Sequence, residues 1–120
     1  MSPDRRRALG AAGEDATADW YSVAGYRILD RNWRCRDGEI DLVAARAGMI
    51  VFCEVKTRSS DRFCAPVEAV THSKQQRLRR LASRWLQEHE SHAPLLRFDV
   101  ASVIVGRDGR PVVEVIEAAF

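Results

Sequence analysis

Two carboxylates and a lysine lie close together in the segment GEIDLVAARAGMIVFCEVKTR, which spans residues 38–58. If residues 47–48 form a two-residue hairpin turn, the register places Asp41 directly opposite Glu54. The same register places Glu39 opposite Lys56. Because side chains alternate along a strand, all four charged side chains then point to one face of the sheet. A three-residue loop would shift the pairing by one residue and separate them.

Facing carboxylates repel each other, so a pair such as Asp41 and Glu54 destabilises a sheet unless a cation lies between them. Hard divalent ions such as Mg²⁺ take oxygen ligands of this kind and usually keep several waters. Lys56 on the same face could orient a nucleophile or offset charge on a phosphate. The pattern is also compatible with a solvated face on which Glu39 and Lys56 form an ion pair, and the spacing alone leaves both interpretations open.

The elements that would position these residues follow from the apolar periodicity, which predicts the order α-β-β-β-α-β-β in an α/β fold. The predicted helices span about residues 4–24 and 71–89. The predicted strands span about residues 26–34, 39–46, 49–57, 96–105 and 111–116. A loop containing Pro66 connects the third strand to the second helix, and Asp108-Gly109 is the turn signal of the last strand pair.

Both predicted helices are amphipathic. The apolar stripe of the first consists of Leu9, Ala12, Ala16, Trp20 and Val23, and that of the second consists of Leu78, Leu81, Ala82, Trp85 and Leu86. Residues 71–84 contain five basic side chains and no acid, and residues 27–36 contain four arginines and one aspartate. These clusters favour a polyanionic partner, although the second helix could equally carry a solvated basic face.

The composition is that of a globular protein, with 46% apolar and 30% charged residues in a chain of 120. No apolar run approaches the ~18 residues of a membrane helix, so we expect no membrane association. Arg5–Arg7 lack a following apolar stretch, which argues against a secretory signal and for a cytoplasmic location. Three cysteines without CxxC spacing are expected to be buried small apolar residues rather than metal ligands: Cys35, Cys53 and Cys64.

Five segments carry a resemblance that covers nearly the whole chain in order and spacing: GED at 13–15, GYRILDRNWR at 25–34, GEIDLVA at 38–44, VFCEVKTR at 51–58 and EAVTHSKQQRL at 68–78. They resemble the YraN-like family of small bacterial proteins, which belongs by pattern to the PD-(D/E)xK nuclease superfamily of restriction endonucleases and Holliday-junction resolvases. The resemblance implies one restriction-endonuclease-like domain over residues 1–120. Its central mixed sheet would have an antiparallel three-stranded first half and flanking helices.

The resemblance also implies roles for individual residues. Asp41 would be the motif aspartate, Glu54 and Lys56 the (D/E)xK pair, and Glu14 the helix glutamate that completes such sites. Mg²⁺ or Mn²⁺ would be held by Asp41, Glu54 and the Val55 carbonyl, and a water would attack the phosphorus in line with assistance from Lys56. The expected function is hydrolysis of phosphodiester bonds in DNA, including branched or structured DNA. The alternatives are a catalytically silent nucleic-acid-binding protein and an interaction scaffold on the same fold.

Further residues would bind the phosphates of the substrate or support the site. The expected phosphate-binding side chains are Arg58, Lys74, Arg77, Arg80 and Arg84, and the expected supporting side chains are Thr57 and Gln75. Symmetric cleavage of two strands needs two active sites, which makes a homodimer an expectation. Thr17 stands where the family usually has a small apolar residue, and Cys64 stands at a loop position where glycine is expected. Neither position is among the proposed metal ligands.

Overall fold

The structure, a computed structural model, describes residues 2–60 and 71–120. It has two helices, α1 (Pro3–Val23) and α2 (His72–Glu88). Its strands are β1 (Arg27–Cys35), β2 (Gly38–Arg46), β3 (Met49–Ser59), β4 (Leu95–Val105) and β5 (Pro111–Ile116). The predicted element order is confirmed, and the predicted ends agree to within two residues. The expectations for Cys64 and for the loop break at Pro66 lie outside the described residues.

The described strands form one mixed sheet in the order β1-β2-β3-β4-β5. Neighbouring strands are antiparallel except β3 and β4, which run parallel from the Met49–Leu95 pair to the Ser59–Val105 pair. The expected mixed sheet with an antiparallel first half is therefore confirmed. The chain passes through α2 between the two parallel strands, which is the usual way to join them.

The hairpin between β2 and β3 turns at Ala47 and Gly48, both of which have positive φ angles, 49° and 78°. A two-residue turn of this kind matches the twist of the flanking strands. The pairing runs from Arg46–Met49 to Leu42–Cys53, so the predicted register is confirmed. The turn chemistry thus fixes which side chains of the two strands face each other.

The helices cover opposite faces of the sheet. Leu78, Leu81, Ala82 and Trp85 of α2 are buried in a core cluster with Val43, Ile50, Phe52 and Phe98, which confirms the predicted apolar stripe. Ala18 and Tyr21 of α1 are buried in a second cluster with Leu42, Ala44, Val51, Cys53 and Ala101. Within the described residues, neither helix has the length and hydrophobicity that a membrane crossing requires.

The buried face of α1 differs from the predicted stripe. Its buried residues are Gly13, Thr17, Ala18 and Tyr21, whereas Val23 is 90% exposed. The hydroxyl of Thr17 donates a hydrogen bond to the Gly13 carbonyl at 2.8 Å, so this polar side chain is satisfied inside the core. The small residue at position 13 lets the helix approach the sheet closely, and the helix is therefore rotated about one residue from the periodicity of its largest apolar side chains.

Candidate active site

The strands β2 and β3 separate at the level of the predicted carboxylate pair. Their pairing ends at Leu42 and Cys53, one position before Asp41 and Glu54. Beyond that point the backbone N–H of Val55 donates a hydrogen bond to Asp41 Oδ2 at 2.8 Å. The carboxylate of Asp41 therefore takes the place of a strand carbonyl, and the sheet opens where the two acids lie.

A cavity of about 470 Å³ occupies this opening. It is bounded by α1, β2, β3 and α2, which contribute Glu14, Gly38, Glu39, Asp41, Cys53, Glu54, Val55, Lys74, Arg77, Leu78 and Leu81. Four of these side chains are acidic and two are basic. The candidate acids Glu14, Asp41 and Glu54 thus line one cavity, although they come from three different elements.

The acids of the cavity interact electrostatically. The pKa of Asp41 is raised from 3.8 to about 6, chiefly because the carboxyl group is desolvated by burial. The hydrogen bond from Val55 opposes this rise, whereas the negative charges of Glu14, Glu39 and Glu54 add to it. A carboxyl group that is destabilised in its charged form by three like charges favours a nearby cation.

Glu14 carries the clearest sign of a missing partner. Its Oε2 atom is buried, and no residue within 2–60 and 71–120 hydrogen-bonds to it. Its backbone position is fixed by the neighbouring Gly13, where an added Cβ would lie 2.8 Å from Thr57 Cβ. A buried polar atom without a partner is costly, so this oxygen is suited to a ligand that the protein itself does not supply.

The lysine of the motif contacts the neighbouring acid. Lys56 Nζ lies 3.5 Å from Glu54 Oε1, and both side chains are partly buried. The alternative ion pair between Glu39 and Lys56 is wrong, because Glu39 Oε2 instead accepts a hydrogen bond from Arg34 Nε at 3.1 Å. Lys56 and Glu54 lie two residues apart on the same side of β3, and this spacing favours contact with each other over contact across the opened strands.

The donor set offers only part of a metal coordination shell. Within the described ranges, no three histidine, cysteine, aspartate or glutamate side chains are grouped closely enough to hold an ion. Asp41 and Glu54 nevertheless provide two carboxylates, and the same cavity is lined by Glu14, whose Oε2 has no partner in the described part of the chain. Such a set fits Mg²⁺ or Mn²⁺ better than Zn²⁺, because Mg²⁺ is usually bound by one or two carboxylates with waters completing the shell.

The basic candidates on α2 have different surroundings. Lys74 and Arg77 line the cavity, and Arg80 is exposed. Arg84 Nη1 lies 3.2 Å from Asp37 Oδ2, and its Nε lies 3.7 Å from Glu88 Oε1. The positive charge of Arg84 is therefore already balanced by two protein acids, which makes it a poorer phosphate ligand than Arg77.

Besides Arg80 and Arg84, four of the predicted site residues are not among those that line the cavity: Lys56, Thr57, Arg58 and Gln75. Thr57 packs against Gly13 and so contacts α1 next to Glu14. Arg58 and Gln75 are partly buried, on β3 and α2 respectively. Thr57 thus helps to position Glu14.

Two residues that shape the site, Glu39 and Gly13, were not predicted from the sequence as site residues. Glu39 lines the cavity and raises the pKa of Asp41, and its position two residues before Asp41 on the same strand was the available signal. Gly13 sets the distance between α1 and β3, and only the adjacent Glu14 marked this part of the helix. A glycine within a helix gives no sequence pattern that identifies the strand it approaches.

Comparison with known proteins places the chain among bacterial relatives of matching length. The model of the uncharacterised protein family UPF0102 matches residues 13–103. A UPF0102 protein of Rhodococcus opacus (strain B4) is 49% identical over 113 residues, which cover 94% of this chain and 96% of the relative. A UPF0102 protein of Beutenbergia cavernae is 52% identical over 107 residues, covering 89% and 91%. One from Symbiobacterium thermophilum is 51% identical over 114 residues, covering 95% and 97%. This chain is therefore a member of the YraN-like family UPF0102.

Proposed function

We propose that the protein is a metal-dependent nuclease that hydrolyses phosphodiester bonds in DNA. The observation that carries this proposal concerns Glu14, which lines the same cavity as Asp41 and Glu54 and whose buried Oε2 has no hydrogen-bond partner among the described residues. Burial and the negative charges of Glu14, Glu39 and Glu54 destabilise the charged form of Asp41, and a bound cation would offset this. The resemblance to PD-(D/E)xK nucleases supplies the reaction class, and the separation of β2 and β3 provides the space that a phosphate needs.

Asp41, Glu54 and the carbonyl of Val55 would hold Mg²⁺ or Mn²⁺ in this cavity, with Glu14 as a further oxygen donor. When bound, the ion offsets the negative charge that develops on the phosphoryl oxygens and makes water a stronger nucleophile. The N–H of Val55 holds Asp41 in place at 2.8 Å, so this carboxylate is oriented before any ligand arrives.

Lys56 is the residue that would act on the reacting groups. Its Nζ atom lies 3.5 Å from Glu54 Oε1, which holds it close to the acids. From there it can orient the attacking water or neutralise charge on the phosphate. Lys74 and Arg77 face the cavity from α2 and would hold the phosphates on either side of the cleaved bond.

The proposed substrate is DNA, including branched or otherwise structured DNA, by analogy with the resolvase-like members of the superfamily. A homodimer would place two such cavities on one substrate and allow both strands to be cut. Arg58, Arg80 and Arg84 are the further proposed DNA contacts. Gln75 would support the site from α2, since it is partly buried one residue beyond Lys74.

Cleavage of labelled branched, single-stranded and duplex DNA in Mn²⁺ tests the proposal directly. We expect the wild type to cleave at least one of these substrates. Glu54→Gln keeps the shape of the side chain but removes its charge, and we expect it to lower the rate by at least about 100-fold. The matched control is Glu114→Gln on β5, which removes the same charge from an exposed position outside the cavity and should leave the rate unchanged.

Other outcomes distinguish the alternatives. DNA binding without cleavage by the wild type would contradict the nuclease and favour a catalytically silent nucleic-acid-binding protein. The absence of both DNA binding and metal binding would contradict both and favour an interaction scaffold. Cleavage that is equal in the wild type and in Glu54→Gln would indicate a contaminating nuclease and remove the support for this cavity.

A further inference from the structure

A second cavity lies at the other end of the contact between α1 and β3. It has a volume of about 540 Å³ and is formed by the first half of α1, the end of β3 and the turn between β4 and β5. Its polar lining comes from Arg5, Ser59, Ser60 and Arg107. The packing of Gly13 on Thr57 lies between this cavity and the acidic one.

The buried hydroxyl group of Ser59, which lines this cavity, has no hydrogen-bond partner among the described residues. The residue is 8% exposed, and its hydroxyl oxygen has no hydrogen bond to any residue in the described parts of the chain. A hydroxyl group that is removed from water without a hydrogen bond destabilises the protein. A ligand in the cavity would supply the missing partner.

The charge of the lining selects the ligand. Arg5 and Arg107 both contribute to the cavity, and no aspartate or glutamate does so within the described residues. The first turn of α1 lies alongside, and the N-terminal end of a helix adds partial positive charge. The guanidinium group of an arginine can bind a phosphate through two parallel hydrogen bonds, so the lining suits a phosphate-bearing ligand.

The apolar part of the lining indicates what accompanies the anion. Ala8, Leu9, Ala12 and Val105 form this part, and the cavity is larger than a phosphate ion requires. Alanine, leucine and valine side chains offer a surface on which a sugar or base can pack. We propose that this cavity binds a nucleoside phosphate, with the phosphate on Arg107, its oxygen near Ser59, and the nucleoside on the apolar part of the lining.

Isothermal titration calorimetry in EDTA tests this site without any contribution from a metal. The probes are thymidine 5′-monophosphate, inorganic phosphate, thymidine and a single-stranded oligothymidylate. We expect Arg107→Ala to weaken binding of the nucleotide by about tenfold, which corresponds to about 1.4 kcal/mol. The matched control is Arg110→Ala, because Arg110 lies in the same turn but outside the cavity. Since the side chain of Arg110 is exposed, this substitution should change the affinity for the nucleotide by less than about twofold.

The phosphate-bearing ligand has two sources, which the probes separate. Tighter binding of the oligothymidylate indicates a nucleic-acid strand, and tighter binding of the mononucleotide indicates a free nucleotide. Either result supports the site if Arg107→Ala abolishes the difference in affinity between the oligothymidylate and the mononucleotide. Equal losses in Arg107→Ala and Arg110→Ala, equal affinity for thymidine and its phosphate, or no binding of any probe would overturn it. Ser59→Ala should also weaken nucleotide binding, and since it removes an unpaired hydroxyl it should not unfold the protein.

Discussion

At the scale of single residues, the ionisation of Asp41 connects the candidate site to the stability of the protein. Its pKa is raised from 3.8 to about 6 in the folded protein. Below about pH 4 the carboxyl group is protonated in both the folded and the unfolded chain. Between about pH 4 and pH 6 the Asp41 carboxyl group is protonated in the folded protein but mostly not in the unfolded chain. The free energy of unfolding therefore falls as the pH rises to 6 and stays low above it.

We therefore expect Asp41→Asn to be more stable than the wild type at pH 8 in EDTA. The gain should be about 1–3 kcal/mol, since two pKa units correspond to about 3 kcal/mol and the site is partly open to water. The gain should disappear below about pH 4. Urea unfolding at pH 4, 6 and 8 measures it, with Glu114→Gln as a control of equal charge change. A loss of stability at pH 8 would show that the charge of Asp41 is compensated within the protein.

The packing of α1 against β3 depends on Gly13. An alanine there would place its Cβ 2.8 Å from both Cβ and Cγ2 of Thr57 and closer still to the hydroxyl oxygen. Gly13→Ala should therefore lower the free energy of unfolding by about 1–3 kcal/mol through overpacking, despite the better helix propensity of alanine. Urea unfolding measures this change, and the double variant Gly13→Ala/Thr57→Ala should recover part of the loss.

Gly10 provides the control for Gly13 in the same helix. A Cβ at Gly10 would meet no atom within 4 Å, so Gly10→Ala should stabilise the protein by about 0.5–1 kcal/mol. If both alanine variants changed stability by the same amount and sign, the contact with Thr57 would have no energetic role.

The residues of the site differ in how far sequence could identify them. Asp41, Glu54 and Lys56 were predictable because a two-residue turn and strand alternation fix their face. Glu14 depended on the family resemblance, since an acid in an amphipathic helix is ordinary. The alternative ion pair between Glu39 and Lys56 was wrong because β2 and β3 separate before they reach Lys56. No local sequence pattern indicates where the hydrogen bonding between two strands ends.

At the scale of elements, α2 presents two arginines with opposite prospects for binding DNA. Arg77 lines the acidic cavity, whereas Arg84 is held by Asp37 and Glu88. We expect Arg77→Ala to weaken binding of a labelled oligonucleotide in EDTA and to reduce the slope of log affinity against log salt by about one. Arg84→Ala should change both less, because its charge is already balanced. Fluorescence anisotropy at several salt concentrations measures the difference, and a larger effect of Arg84→Ala would reverse the assignment.

The elements themselves were largely predictable, with α1 as the instructive exception. The hairpin register followed from Ala47-Gly48, and the buried face of α2 followed from its apolar periodicity. The buried face of α1 did not, because Gly13 and Thr17 are buried although neither is strongly apolar. The buried face of α1 is set by the packing of the helix against β3, which is distant in the sequence. The apolar periodicity within the helix carries no information about this packing.

At the scale of the whole molecule, Asp99 joins α1, β4 and the segment after β5. This fully buried carboxylate accepts hydrogen bonds from the Tyr21 hydroxyl at 2.6 Å, from the Arg97 guanidinium at 2.8 Å through two nitrogens, and from the Ala118 N–H at 3.0 Å. Burial raises the pKa of Tyr21, and the bond to Asp99 raises the pKa of Arg97. The Tyr21 hydroxyl therefore keeps its proton and Arg97 keeps its charge over the ordinary pH range.

Removing the acid from this network should have a large cost. We expect Asp99→Ala to lower the free energy of unfolding by about 3–5 kcal/mol, because it leaves Arg97 largely buried without its main partner. Glu117 contacts the same arginine from an exposed position at 3.6 Å, so Glu117→Ala should cost less than about 1 kcal/mol. Urea unfolding compares the two. Similar small losses would show that water reaches Arg97 and replaces Asp99.

Neither this network nor the parallel pairing of β3 with β4 had a local signature in the sequence. Both join residues that are far apart in the chain: Tyr21 and Asp99 are separated by 78 positions. The mixed character of the sheet was expected from the family resemblance alone. The identity of the buried charged partners was not, since Arg97 and Asp99 also have the spacing of an exposed ion pair on a strand.

The most direct test of the proposed metal site is calorimetric titration of Mn²⁺ into the metal-free protein at pH 8, where Asp41 is deprotonated. We predict saturable binding to the wild type and none to the double variant Asp41→Asn/Glu54→Gln. A second double variant, Glu90→Gln/Glu114→Gln, removes the same charge from exposed positions and should bind as the wild type does. Equal binding by all three proteins, or none by the wild type, would contradict a metal site between β2 and β3.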